Sequence, residues 1–280
     1  MFKGNERCIA QMDANSSIVF SDLDGTLLDG KNYSFEKAEP ALRSIKEKEI
    51  PLILCTSKTR SEIEFYRNLL ENSDPFVVEN GGAIYVPKEY FPFTFDYDYI
   101  SEGYFVIELG TPYRTLVKML NDLKKKTGNS LKGFSDMSVE EIATLCNLTL
   151  DQAALAKQRE YDEPFLILEP ENATRVEAAI EFQYTRGDRF YHITSSDKGK
   201  AVSILIDMFK KSHQNILSVG LGNRLNDLPL LSAVDIPILV QLEDGSYDTK
   251  VVLPQLRYAG GVDPEGWNKA VLDLLQTLPG

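Results

Sequence analysis

Two carboxylates separated by one residue, Asp22 and Asp24, carry the clearest chemical signal in the chain. They follow an apolar run at residues 18–20 that predicts a buried strand, and Gly25 then allows a sharp turn. In an open α/β sheet, ligands bind at the carboxyl ends of the strands. Burying two like charges this close is costly unless a cation or a reaction requires them. The pair therefore favours a functional site over a solvated turn.

Three further strand ends supply groups that suit phosphoryl transfer. Thr56 and Ser57 follow a predicted strand at 51–55 and precede a helix, where hydroxyl and N–H groups can bind a phosphate oxygen. Lys198 opens another predicted helix, and the turn at 220–227 could offer oxygen ligands to a hard cation. Each feature alone is also explained by a helix cap, an exposed lysine or an ordinary turn. Their order along the chain favours function.

Composition narrows the possible partners and location. The 280 residues carry a net charge of −12, which argues against nucleic acid or an anionic membrane as partner. No apolar stretch is long enough to span a membrane, and the first residues lack the apolar core of a signal peptide. The three cysteines are few and scattered, which predicts reduced thiols and a cytoplasmic location. Two histidines are a poor supply for a histidine-built zinc site.

The alternation of strands and helices predicts an α/β fold, with a doubly wound, mostly parallel sheet as a Rossmann-like core. We expect residues 1–94 to form the first part of this core, with 1–16 as a loose tail, and residues 190–280 to form the second part. The residue composition changes near residue 90, so residues 95–189 are expected to form an inserted α+β cap domain. A helix is expected over 173–184. An insertion that returns to the same core is expected to cover the active site.

This order of strand ends resembles the haloacid dehalogenase-like hydrolase superfamily, in its phosphatase branch. The resemblance implies that Asp22 is the nucleophile that forms an aspartyl-phosphate, and that Asp24 is the general acid and base. It implies that Thr56 and Lys198 hold the phosphoryl oxygens. It also implies that Mg²⁺ bridges Asp22, the backbone carbonyl of Asp24 and the acidic turn, which contains Asp227.

Segments 57–60, 78–82, 156–163 and 189–192 together resemble the mannosyl-3-phosphoglycerate phosphatase family. That family is a group of phosphoric monoester hydrolases, which release phosphate and leave mannosylglycerate, a compatible solute. The resemblance implies a phosphorylated sugar acid as the small-molecule partner, with a monomer and a homodimer both open. The matching segments contribute six candidate substrate-binding residues: Ser57, Lys58, Asn80, Lys157, Arg159 and His192. Lys157 and Arg159 are candidate partners for a carboxylate, or else part of a solvated basic face.

Asn223 departs from the superfamily pattern, which has Asp at the matching position as a metal ligand. An amide oxygen still coordinates Mg²⁺, but it is neutral and holds the ion less tightly. Three alternatives remain open: Asn223 ligates weakly, Asp227 supplies part of the charge, or the site is impaired. The rival functions are glucosyl-3-phosphoglycerate or sucrose-phosphate phosphatase, and a catalytically weak phosphosugar-binding protein. A thiol phosphatase is excluded because Cys55 and Arg60 are one residue too close together.

Overall fold

The computed structural model describes residues 16–128, 131–182, 184–186, 190–213 and 215–277. The expected tail lies outside them except for Ser16, and so does Arg189 of the segment 189–192. The strands are β1 Ser16–Ser21, β2 Leu52–Cys55, β3 Phe76–Val78, β4 Ala83–Pro87, β5 Tyr99–Ser101, β6 Tyr104–Glu108, β7 Leu131–Gly133, β8 Glu163–Ile167, β9 Tyr184–Arg186, β10 Tyr191–Ile193, β11 Ile216–Gly222, β12 Ile236–Gln241 and β13 Arg257–Val262. The helices are α1 Glu39–Glu47, α2 Arg60–Leu69, α3 Tyr113–Thr127, α4 Val139–Cys146, α5 Leu150–Ala156, α6 Ala173–Ala179, α7 Lys198–Ser212, α8 Leu228–Ser232 and α9 Asp263–Thr277.

The larger sheet has the strand order β13-β12-β11-β1-β2-β3-β4-β6-β5. The six strands from β13 to β3 run parallel, and β4, β6 and β5 pair antiparallel at one edge. This confirms the predicted doubly wound, mostly parallel core. Because β1 and β11 are parallel neighbours, the residues that follow them emerge at the same edge of the sheet.

Helices cover both faces of this sheet because its central strands are apolar on both sides. Val19 of β1 packs in one core cluster, whereas Ile18 and Phe20 pack in the other. The first cluster also contains residues of α1, α2 and α9, and the second contains residues of α7 and α8. Near-continuous apolar strands are typical of a parallel sheet that is buried on both faces.

The smaller sheet is antiparallel, with the order β7-β8-β10-β9. Helices α3 and α6 pack against it, with Leu116, Leu120 and Val176 in a separate core. Helices α4 and α5 begin at capping boxes, in which Ser138 and Thr149 accept hydrogen bonds from backbone N–H groups three residues later. The smaller sheet with these helices forms the α+β cap.

Three stretches differ from the expected pattern. Strands β5 and β6 belong to the larger sheet because β6 pairs along the whole of β4, so residues 99–108 lie outside the cap sheet. Strand β10 pairs antiparallel with β8 and β9 in the cap, although 190–193 was expected in the core. The helix expected over 173–184 ends at Ala179, since the apolar residues 180, 182 and 184 alternate as in extended chain and pack on the cap core. The helices and strands assigned to the cap thus run from Tyr113 to Ile193, and the domain bounds at 95 and 189 stay a prediction.

Candidate active site

The floor of the site is a buried cluster of Asp22, Lys198 and Asp227. Asp22 follows β1, Lys198 is the first residue of α7, and Asp227 lies in the turn after β11. The Lys198 Nζ lies 2.6 Å from Asp22 Oδ1 and 2.6 Å from Asp227 Oδ1. Thr26 donates a hydrogen bond of 3.2 Å to the other oxygen of Asp22. The structure therefore brings together three of the predicted residues from distant parts of the chain.

The electrostatics of this cluster leave room for a further cation. Burial raises the pKa of Asp22 to about 7, and the nearby Asp227 adds to this, whereas Lys198 opposes it. Burial would lower the pKa of Lys198, but the two carboxylates outweigh it and raise that pKa above its ordinary range. Two carboxylates share one ammonium, so the cluster carries an excess negative charge in a desolvated place. A divalent ion or a proton would relieve this excess.

The residues present fit a metal ion of modest affinity. The Asn223 side chain lies over the turn after β1, where its Nδ2 donates to the Gly25 carbonyl at 2.7 Å and approaches the Asp24 carbonyl at 3.4 Å. The Asp22 carboxylate, the Asp24 carbonyl and the Asn223 amide are thus an oxygen donor set that suits Mg²⁺. Ligation by Asn223 requires its amide oxygen, instead of its nitrogen, beside the Asp24 carbonyl. Within the described ranges, no three His, Cys, Asp or Glu side chains group as a metal site.

Asp227 is fully buried beside Asp22 and Lys198, and its carboxylate accepts hydrogen bonds on both oxygens. One of its oxygens accepts from Lys198, and the other accepts the backbone N–H groups of Asn223 and Arg224 at 2.9 and 3.2 Å. The turn thus uses this carboxylate to fix its own backbone and to hold Lys198. Direct ligation of a metal by Asp227 stays a prediction.

Around the floor, Asp24, Ser57 and Lys58 line a cavity of about 520 Å³ between the core and the cap. The Asp24 side chain is 38% exposed, so it faces the cavity, and its Oδ1 lies 3.0 Å from the Lys58 Nζ. Thr56 is fully buried, and its Oγ1 accepts a hydrogen bond from the Lys58 N–H at 3.2 Å. The hydroxyl of Thr56 thus braces the start of the loop that carries Ser57.

The cap contributes Arg159 and His192 to the same cavity. Both contact the buried Asp162: the Arg159 Nη2 at 2.9 Å and the His192 Nδ1 at 2.8 Å from its Oδ2. Asn80, which follows β3 of the core, donates to the same oxygen at 3.0 Å. Burial alone would raise the pKa of Asp162, but His192 and Arg159 lower it below its ordinary value. This carboxylate therefore joins three of the predicted substrate-binding residues across the boundary between core and cap.

Glu79 links the same network to the backbone of the cap. Its carboxylate accepts the N–H groups of Glu160 and Tyr161 at 2.9 and 2.8 Å and lies 3.5 Å from the Arg159 Nε. Arg159 also donates to the Ser57 carbonyl at 3.0 Å. Burial raises the pKa of Glu79 to about 7, although Arg159 opposes this. These contacts hold the cap closed over the loop after β2.

Lys157 is the predicted substrate-binding residue that the structure places elsewhere. Its Nζ donates to the carbonyls of Phe134, at 3.0 Å, and Met137, where the chain before α4 leaves carbonyl oxygens that need a donor. It lines a second, shallow cavity together with Tyr113 and Arg114, on the cap. The structure therefore places Lys157 on a different cavity from Arg159, and its contact with substrate stays a prediction.

Several residues of the site were missed in the sequence. Asp162 and Glu79 lie inside the matching segments, and their position beside basic residues was a signal that could have found them. Asp263 lines the cavity from the start of α9, where its Oδ2 accepts the Gly30 N–H at 2.9 Å. Its backbone is left-handed, with φ 50°, directly before a proline. No sequence pattern pointed to it, since only the fold brings residues 30 and 263 together.

Comparisons with known proteins identify the family to which this geometry belongs. Residues 19–102 match the model of the haloacid dehalogenase-like hydrolase family. Over 263 residues, 92% of its length, the chain is 46% identical to a glucosyl-3-phosphoglycerate/mannosyl-3-phosphoglycerate phosphatase of Methanococcoides burtonii and covers 97% of that protein. The chain belongs to the mannosyl-3-phosphoglycerate phosphatase family of haloacid dehalogenase-like hydrolases. This confirms the predicted family and makes the protein a phosphatase.

A second relative agrees with the family, and a solved structure agrees with the fold. The mannosyl-3-phosphoglycerate phosphatase of Pyrococcus furiosus is 37% identical over 80% of this chain and 90% of its own. Among solved structures, the phosphatase BT1666 of Bacteroides thetaiotaomicron matches with a TM-score of 0.65 over 98% of this chain and all of its own, at 14% identity, which supports the fold alone. Phosphatases of this superfamily generally use a divalent metal ion. In the part of the chain that the structure describes, no helix is both long enough and apolar enough to cross a bilayer.

Proposed function

We propose that this protein hydrolyses mannosyl-3-phosphoglycerate, and its glucosyl counterpart, to the glycosylglycerate and phosphate, with Mg²⁺ as the metal. One observation carries the proposal. Asp22, which the buried Lys198 contacts together with Asp227, lines one cavity with the partly exposed Asp24 and with Arg159 and His192 of the cap. The names of the relatives, one of which covers both sugars, support the choice of substrate.

In the first step, Asp22 attacks the phosphorus atom, and the bond from phosphorus to the glycerate oxygen breaks. Asp24 gives its proton to that oxygen as it leaves, and an aspartyl-phosphate remains on Asp22. In the second step, Asp24 takes a proton from a water molecule, which attacks the phosphorus and releases inorganic phosphate from Asp22. Lys198 stabilises negative charge at the nucleophile through both steps, because its Nζ lies against Asp22 in the desolvated floor.

Asp22, the Asp24 carbonyl and Asn223 would hold Mg²⁺, which would offset the repulsion between an anionic nucleophile and an anionic phosphate. On the other side of the cavity, the cap groups suit the rest of the substrate. Arg159 and His192 are held in place by Asp162 and present donors toward a carboxylate or sugar hydroxyls. Ser57 and Asn80 line the same cavity from the core. Closure by the cap would exclude bulk water from the aspartyl-phosphate.

The test is a side-by-side assay of phosphate release from mannosyl-3-phosphoglycerate, glucosyl-3-phosphoglycerate and sucrose phosphate with Mg²⁺. We expect turnover of the two phosphoglycerates, little of sucrose phosphate, and loss of turnover in Asp22→Asn. Turnover of sucrose phosphate alone would refute the proposal that the phosphoglycerates are the substrates. Binding of the phosphoglycerates without phosphate release in the wild type, at an affinity unchanged by Asp22→Asn, would instead identify a binding protein impaired by Asn223.

A cytoplasmic location remains part of this proposal, supported by the three scattered cysteines of the sequence. Of the two oligomeric states that the sequence left open, monomer and homodimer, the proposed chemistry requires neither in particular. Each of the residues given a role belongs to one chain, so one copy holds the complete proposed set.

A further inference from the structure

Lys58 is a buried cation that the phosphoryl floor does not use. Its side chain is 6% exposed, and its Nζ lies 3.0 Å from Asp24 Oδ1 and 3.6 Å from Glu62 Oε1. The same Nζ lies 4.8 Å from the centre of the Tyr33 ring and 5.4 Å from that of Tyr66. Two carboxylates and two aromatic faces thus surround one ammonium group, which leaves little of it for a substrate.

The backbone that carries Lys58 is fixed on both sides. Its N–H donates to Thr56 Oγ1 at 3.2 Å, and its carbonyl accepts the Glu79 N–H at 3.0 Å. The next residue, Thr59, is the N-cap of α2 in a complete capping box with Glu62. A side chain on so constrained a segment holds its head group within a narrow range of positions, as a residue that orients another must do.

Asp24 needs such an orienting partner because its own side chain is partly exposed. The Asp24 side chain is 38% exposed, although its Oδ1 is buried beside Lys58, which is itself almost fully enclosed. A general acid must reach the leaving oxygen within hydrogen-bond distance to act. An enclosed ammonium at 3.0 Å restricts the rotation of this carboxylate and keeps it on the cavity side.

The cap takes part in enclosing Lys58. Tyr33, whose ring lies over the ammonium, donates its hydroxyl proton to the Cys146 carbonyl at the end of α4, at 3.1 Å. Beside it, the Asn147 side chain donates to the Lys31 carbonyl at 3.2 Å. The ring therefore stands between the cap and Lys58, so docking of α4 against this loop fixes the ring over the ammonium.

We propose that Lys58 is a positioning residue for Asp24, held in place by Tyr33 and the docked cap, and that it is not a ligand of the substrate. This rests on the proposed roles of Asp22 and Asp24 as nucleophile and general acid, but not on the identity of the sugar. This role differs from the expected contact of Lys58 with substrate. Lys58 then affects the proton transfer from Asp24 to the leaving oxygen within the first step, and does not change the nucleophilicity of Asp22.

Substrates with different leaving groups distinguish a positioning role of Lys58 from a purely structural role and from substrate binding. An alkoxide leaves only with a proton from Asp24, whereas p-nitrophenolate is stable enough to leave without one. With Mg²⁺-loaded enzyme in excess over substrate, a single turnover reports the first chemical step alone. Release of p-nitrophenol from p-nitrophenyl phosphate is followed by absorbance, and release of the glycosylglycerate by quenched flow.

Lys58→Met is expected to lower the single-turnover rate on the sugar ester on the order of 30-fold, and the rate on p-nitrophenyl phosphate by less than about 3-fold. This difference lies within the range of general acid catalysis. Lys58→Arg is expected to recover most of the lost rate. Lys210→Met, an exposed lysine on α7, is the matched control and should change neither rate. Lys58→Gln is the second variant, in case the apolar replacement does not fold beside Glu62, as judged by circular dichroism.

Two results would overturn the proposal. An equal loss on both esters would mean that Lys58 only supports the structure. A rise in KM for the sugar ester with kcat unchanged would mean that Lys58 binds the substrate. If the wild type does not hydrolyse either phosphoglycerate, the proposed function fails, but the comparison still decides the role of Lys58 with glycerol 3-phosphate, an alkyl ester with the same need for a proton.

Discussion

Replacing Asn223 by Asp is expected to have opposite effects on the metal-free and the metal-loaded protein. In this structure the Asn223 Nδ2 donates to the Gly25 carbonyl at 2.7 Å and approaches the Asp24 carbonyl. A carboxylate at the same place faces two carbonyl oxygens with no proton to give. It also adds a negative charge near Asp22, whose pKa burial already raises to about 7.

The magnitudes follow from these contacts. Losing the hydrogen bond and leaving a buried oxygen against carbonyl groups costs about 1–3 kcal/mol without metal. With a divalent ion bound, the added charge gains about 4 kcal/mol per unit of cation charge at 4 Å in a medium of effective dielectric constant near 20, and desolvation of the carboxylate offsets much of this. A net gain of about 1.4–2.8 kcal/mol corresponds to Mg²⁺ binding about 10–100-fold tighter.

The assay compares chelator-stripped and Mg²⁺-titrated protein. We expect the Tm of Asn223→Asp to fall without metal, by about 2–4 °C per kcal/mol, and to exceed that of the wild type at saturating Mg²⁺. The Mg²⁺ concentration for half-maximal activity should fall about 10–100-fold. Asn121→Asp, the same charge change on the exposed face of α3, should alter neither quantity. A variant that is destabilised equally with and without Mg²⁺ would show that Asn223 does not lie beside the metal.

Lys198→Met is expected to lower the free energy of unfolding by about 3–5 kcal/mol, because it leaves two buried carboxylates without their cation; an unchanged urea midpoint would contradict the cluster. Glu79→Gln is expected to flatten the pH dependence of the free energy of unfolding. The pKa of Glu79 is raised to about 7 in the folded wild type, against an ordinary 4.5, so its protonated form stabilises the folded state at low pH. This stabilisation is lost as the pH rises from 4.5 through 7. Urea titrations of both proteins at several pH values across that window would refute this if the free energy of unfolding changed equally with pH in the two. Gly81→Ala should cost at least about 2 kcal/mol more than Gly103→Ala, because both have φ near 93° but only at Gly81 does the new Cβ meet a backbone oxygen, that of Asp197. Equal changes in Tm would mean that the clash is relieved.

The floor of the site was predictable because a parallel sheet converts strand order into proximity. Asp22, Lys198 and Asp227 are far apart in sequence, yet each follows a strand or opens a helix at the same edge. Local patterns predict those boundaries: an apolar run, a capping residue, a glycine-containing turn. The right-handed connections of an α/β core then allow few other arrangements.

Sheet membership was less predictable because pairing is a long-range choice. Residues 104–108 read as a strand in either domain, and only the free edge of β4 decides that they extend the larger sheet. The same holds for Tyr191–Ile193, whose apolar character suits the core as well as the cap sheet, where it pairs with β8. A period of two fixes the faces of a strand but not its neighbour.

The direction of long cationic side chains was also beyond the sequence, and here the structure changes the chemistry that can be inferred. Lys157 and Lys58 both lie in segments typical of the family, but one satisfies backbone carbonyls and the other is enclosed beside Asp24. Lys198, Lys58 and Arg159, the three buried cations around the cavity, each contact a carboxylate of the protein. Because these buried charges are already matched in a chain of net charge −12, we expect an added divalent ion to be needed to attract the proposed substrate, which carries both a phosphate and a carboxylate. On this reasoning, the neutral Asn223 is expected to set the metal concentration at which the proposed site works.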